Sequence, residues 1–64
     1  MKVKEYREKK KFSHKYMADK MGISRVTYTN KENGKRNFTP LEILILEDVL
    51  GVSFRELFED LKDS

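Results

Sequence analysis

Lys20-Met21-Gly22-Ile23-Ser24-Arg25-Val26-Thr27-Tyr28-Thr29-Asn30-Lys31-Glu32-Asn33-Gly34-Lys35-Arg36-Asn37 is the stretch from which the fold can be read. Gly22 can adopt the left-handed conformation that closes a short helix, and Ser24, two residues on, can cap the next one. Two helices, over residues 13–20 and 24–32, therefore meet across a tight turn. The second turns Tyr28 to one side and Arg25, Val26, Thr29 and Asn30 to another. A helix of this kind fits the major groove of duplex DNA. There arginine reads guanine, asparagine reads adenine, and Thr or Val methyls meet the thymine methyl. An ordinary helical hairpin with a polar outer face has the same spacing, so this segment alone leaves both readings open.

The flanking residues are punctuated as helices too. Strand-like alternation is absent, proline occurs once, and the three glycines each follow a helix-like stretch. Thr39-Pro40-Leu41-Glu42 reads as an N-cap, a proline in the first turn and a reciprocal capping-box glutamate, with Phe38 stapled to Ile43. Ser53 and Glu56 repeat the device with Val52 against Leu57, whereas Ser13 and Ser24 cap without such a glutamate. The spacing predicts helices over 2–10, 13–20, 24–32, 39–50 and 53–61: an all-α, compact five-helix bundle, with residues 1–64 as a single domain. Its expected core is Val3, Tyr6, Met17, Ala18, Met21, Ile43, Leu46, Leu50, Leu57, Phe58 and Leu61, all at helical spacing.

Composition narrows the function. With no cysteine and one histidine, the chain has no disulfide and no thiolate zinc site, and neither metal nor cofactor is expected. No nucleophile and base are arranged together, and so short a chain offers little room for a cleft, so catalysis is not expected. The lysine-rich start has no apolar run of the kind a signal peptide needs, and no stretch approaches a membrane span; a cytoplasmic protein is the expectation. Residues 1–36 hold twelve Lys/Arg against four acidic residues, net +8, while residues 37–64 hold two against seven, net −5. One half suits a polyanion, although charge on a small domain also serves solubility.

Residues 6–58 resemble the phage-repressor type of helix-turn-helix domain. The likeness rests on Arg7, Met17-Ala18, Gly22-Ile23-Ser24, Thr27-Tyr28, Glu32-Asn33-Gly34-Lys35-Arg36-Asn37 and Leu50-Gly51-Val52-Ser53. It implies that helices 2 and 3 form the helix-turn-helix, with base contacts from Arg25, Val26, Thr29 and Asn30. Phosphate contacts fall to His14, Ser24, Thr27, Asn33, Lys35 and Arg36. It also implies an Arg7–Glu32 ion pair that orients helix 3, and a double-stranded DNA operator, an inverted repeat at a promoter, where the protein blocks or recruits RNA polymerase.

Three positions depart from the family's pattern. His14 replaces a frequent glutamine; protonated, it would hold phosphate better below about pH 6.5, and a plain surface histidine is the alternative. Lys31 and Glu47 stand where apolar residues are usual. Either Lys31 snorkels to solvent or the two lean together as a pair, and replacing Lys31 by leucine is expected to raise the melting temperature. Helix 4 is apolar on more than one side. Leu41, Leu44 and Ile45, with Phe54, Phe58 and Leu61, suggest a homodimer interface, with burial under the C-terminal residues as the alternative. A rival use of that surface is as a protein-interaction module: an antitoxin, antirepressor or inhibitor.

Overall fold

The computed structural model describes residues 1–59, and every regular element among them is a helix. In chain order these are α1 (Val3–Lys10), α2 (His14–Met21), α3 (Arg25–Glu32), α4 (Pro40–Leu50) and α5 (Phe54–Leu57). All but α1 start at a capping hydroxyl. The Ser13 hydroxyl accepts from the Tyr16 N–H at 3.0 Å, and Ser24 accepts from the Thr27 N–H at 3.1 Å. Thr39 accepts from Glu42 N–H at 3.2 Å while the Glu42 carboxylate accepts from Thr39 N–H at 2.9 Å, so both halves of the capping box are formed. Ser53 and Glu56 form the second box.

The turn between α2 and α3 depends on Gly22, at φ 71°, which lets the Gly22 and Ile23 N–H groups return to the carbonyls of Asp19 and Ala18. α1 ends in the same left-handed conformation, but on a lysine: Lys11 has φ 61°. The last helix is shorter than its spacing suggested, closing at Leu57; residues 60 and 61 of that expectation lie outside the described part of the chain.

Val3, Met17, Ala18, Tyr28, Phe38, Leu46, Leu50 and Leu57 form the buried core. Tyr6, Met21, Ile43 and Phe58 pack partly against it, and Leu61 is not among the described residues. Leu46 and Leu50, one turn apart, share the inner stripe of α4; each such side chain removed from water stabilises the fold by about 1.5–3 kcal/mol. α2 packs on α3, and α4 packs on both α1 and α2. The Lys2 N–H donates to the Leu57 carbonyl at 2.7 Å, joining the start of the chain to α5. α3 packs chiefly on α2, while Glu32 and Lys31 reach Arg7 of α1 and Glu42 of α4, and its opposite side keeps Arg25 and Val26 in solvent.

Candidate nucleic-acid interface

The inner face of α3 is anchored by charge as well as by packing. The Glu32 carboxylate receives the Arg7 Nε at 2.8 Å and the Tyr28 hydroxyl at 2.6 Å on Oε2, and the Arg7 Nη2 at 3.2 Å on Oε1. Arg7 Nη1 donates to the Phe12 carbonyl at 2.8 Å, so a single guanidinium ties the end of α1 to α3. Burial alone would push the Glu32 carboxyl up; the hydrogen bonds from Arg7 and Tyr28 outweigh it and hold that carboxyl below its usual range. Burial, then the bond to Glu32, drives the Tyr28 phenol far above the usual tyrosine range, so it stays protonated and donating. The same carboxylate raises the Arg7 guanidinium.

Outward, α3 presents Arg25 and Val26 to solvent, with Val26 61% exposed, and Thr29 and Asn30 half-buried beside them. The Thr29 hydroxyl donates to the Arg25 carbonyl at 2.8 Å. At the start of the helix the Ser24 hydroxyl gives its proton to Thr27 Oγ1 at 2.8 Å, which leaves the Thr27 proton free to meet an anion. At the other end Asn33 closes α3, the Lys35 N–H returns to the Asn30 carbonyl at 2.9 Å, and Asn33, Lys35 and Arg36 are all exposed around Gly34 at φ 84°. Apolar and hydrogen-bonding tips thus lie along one ridge, with the Ser24 and Thr27 hydroxyls at its start and the Lys35 and Arg36 cations beyond its end. That arrangement suits a groove flanked by phosphates.

Three polar residues sit differently from their sequence reading. Lys31 does not pair with Glu47: its ammonium lies 2.5 Å from Glu42 Oε1, with both side chains buried. Burial would push the Glu42 carboxyl up, but Lys31 and the Thr39 N–H outweigh it and hold the carboxyl low. Glu47 instead accepts the Phe54 N–H at 2.6 Å, capping α5 one turn beyond its own helix. The sequence pattern points Glu42 to its cap alone, although a carboxylate has room for more donors. His14 turns inward. Its Nε2 lies 3.3 Å from Glu32 Oε1, its Nδ1 is 3.4 Å from Thr29 Oγ1, and its ring centroid is 5.9 Å from that of Tyr28. In this orientation both ring nitrogens face protein groups.

Residues 3–57 match the family model described as Helix-turn-helix. The chain belongs to the helix-turn-helix family of the phage-repressor type. No curated protein and no solved structure shows a significant match to it. As a member of this family the chain is a DNA-binding helix-turn-helix regulator, α2 and α3 being the pair that gives the family its name. No helix among the described residues is long and apolar enough to cross a membrane, and no group of three or more candidate metal ligands occurs among them.

Proposed function

We propose that the chain is a sequence-specific repressor that lays α3 in the major groove of an operator and keeps RNA polymerase from the promoter. The carrying observation is the two-sidedness of α3: Tyr28, Lys31 and Glu32 are buried and bonded, while Arg25, Val26, Thr29 and Asn30 face away from the core. Those four read bases, and Ser24, Thr27, Asn33, Lys35 and Arg36, with the N–H groups that open α2 at His14, hold the flanking phosphates. The protein acts in the cytoplasm, where such an operator lies.

Two copies bind an inverted repeat. Leu41, Leu44 and Phe54, exposed by 67, 60 and 52%, and the half-buried Ile45 and Phe58 supply the apolar side chains of the proposed patch, in the acidic half of the chain. Joining two such patches directs the basic halves toward half-sites about 34 Å apart on one face of the duplex. The same patch supports a second reading, in which it captures another protein and DNA binding is incidental.

Selection of bound sites from random duplexes tests both. A symmetric motif, with Arg25→Ala weakening the selected site by about 1–3 kcal/mol while leaving random DNA unchanged, is the expected result. Equal weakening on both would refute direct reading by α3. Micromolar binding without a motif would favour the protein-interaction reading.

A further inference from the structure

We propose that Lys11 is a further contact to the DNA backbone, a left-handed residue whose strain the fold carries for the sake of its charge. This rests on the reading that the exposed side of α3 faces a duplex, and it extends that interface to the corner between α1 and α2.

The corner itself does not call for lysine. Lys11 sits at φ 61° and ψ 32°, where its N–H returns to the Glu8 carbonyl at 3.0 Å and the Phe12 N–H to the Arg7 carbonyl at 3.2 Å, closing α1. Glycine would make the same bonds without a Cβ crowding the backbone. Nor does the helix end lack positive charge. Arg7, Lys9 and Lys10 already stand in its last turn, and Arg7 is the like-charged neighbour one turn before Lys11. Another cation there meets repulsion as well as the helix dipole. For the folded chain alone, glycine is the better residue.

For a polyanion the position is favourable. Arg7 Nη1 donates to the Phe12 carbonyl at 2.8 Å while Arg7 Nε holds Glu32, so the corner is tied to α3. Three residues beyond Lys11, His14 opens α2 with its Nδ1 3.4 Å from the Thr29 hydroxyl, on the side of α3 that reads bases. Three residues of chain span at most about 10 Å. That keeps the ammonium within reach of the phosphates bordering a groove about 12 Å wide.

Neighbouring lysines differ. Lys9 lies over the Tyr6 ring, 5.2 Å from its centroid, and Lys15 is paired with Asp19 at 3.1 Å. Lys10 and Lys11 are exposed and have no ion pair among the described residues, and of these two only Lys11 holds a left-handed backbone.

Three substitutions separate charge from strain. Lys11→Gly removes both, Lys11→Gln removes the charge and keeps the strain, and Lys11→Arg keeps both. Binding to a random-sequence duplex is followed by fluorescence anisotropy from about 50 to about 200 mM salt, with urea denaturation alongside. Lys11→Gly and Lys11→Gln should each weaken binding about tenfold at the low end and about threefold at the high end, reducing the salt slope by about 1, the share of one phosphate. Lys11→Arg should match the natural chain, and only Lys11→Gly should raise the urea midpoint. Arg55→Ala, which removes one exposed charge from α5, should leave the slope unaltered. Full affinity in Lys11→Gly or Lys11→Gln, a midpoint that does not rise with glycine, or an equal loss in Arg55→Ala overturns the inference. If Lys35→Ala weakens binding and the Lys11 variants do not, the inference alone fails. If neither changes it, the placement of DNA against α3 fails too.

Discussion

Replacing Lys31 by leucine asks what its buried ammonium contributes. The lysine methylenes already lie under α4, so leucine brings little new apolar burial. What it removes is one charge-assisted hydrogen bond, at 2.5 Å, between two side chains only 11 and 9% accessible. Such a bond is worth about 1.5–3 kcal/mol, and losing it leaves Glu42 a buried carboxylate with only the Thr39 N–H. A net loss of about 2 kcal/mol follows, which in a domain of this size lowers Tm by about 8–16 °C. This reverses the gain that the residue types alone suggested. Adding Glu42→Gln, which keeps an acceptor for the cap, should restore much of the loss, and urea denaturation of the cycle should give a coupling of about 1–2 kcal/mol. Lys31→Leu combined with Glu47→Ala should be additive. A rise in Tm for Lys31→Leu, or additivity with Glu42→Gln, would refute the reasoning.

Thermal melts between about pH 2 and pH 7 should show stability that is flat in the upper range and falls below about pH 4. Glu32 and Glu42 are both held below their ordinary values, so unfolded carboxyls bind protons that the folded ones refuse, and stability is lost as pH drops through the folded values. A Tm independent of acid would contradict those two buried pairs. Lys11→Gly should stabilise the chain by about 0.5–1 kcal/mol, because a left-handed lysine is strained where glycine is not; an unchanged or lower urea midpoint would count against it. Lys35→Ala should weaken all duplexes alike and reduce the salt slope of binding by about 1, measured by titration at several ionic strengths. A loss confined to the selected site would place Lys35 on a base instead.

Much of this was legible in the residues because short helices announce their ends. Thr39 with Glu42, and Ser53 with Glu56, use local chemistry, and the structure forms both boxes. So does the Gly22 turn, whose left-handed φ has few alternatives among the natural residues. The partners of Lys31, Glu47 and His14 were less legible because a long polar side chain reaches about 6 Å and several acceptors fall within that sphere. Glu42 and Glu47 are both on α4, and only the crossing of α3 over its first turn selects Glu42 for Lys31. The exposure of Leu41 and Leu44 was likewise undecided, since a helix apolar on several sides can be covered by its own chain or by another.

The polar side of α3 explains how a helix of eight residues can hold a fixed rotation. An apolar stripe resists separation more than it resists turning, because neighbouring contacts replace one another as a helix rolls. Hydrogen bonds do not exchange in that way. A side-chain tip about 6 Å from the helix axis moves about 2 Å when the helix turns by about 20°. That displacement would break the bonds of Glu32 to Arg7 at 2.8 Å and to Tyr28 at 2.6 Å, together with the pair between Lys31 and Glu42. On the opposite side the same roll would carry Arg25 or Asn30 off a base edge. The bonds beneath α3 therefore penalise the rotation that would blur the presentation of its outer residues. Apolar residues at Lys31 and Glu32 would keep the helix in place but leave its angle less well defined.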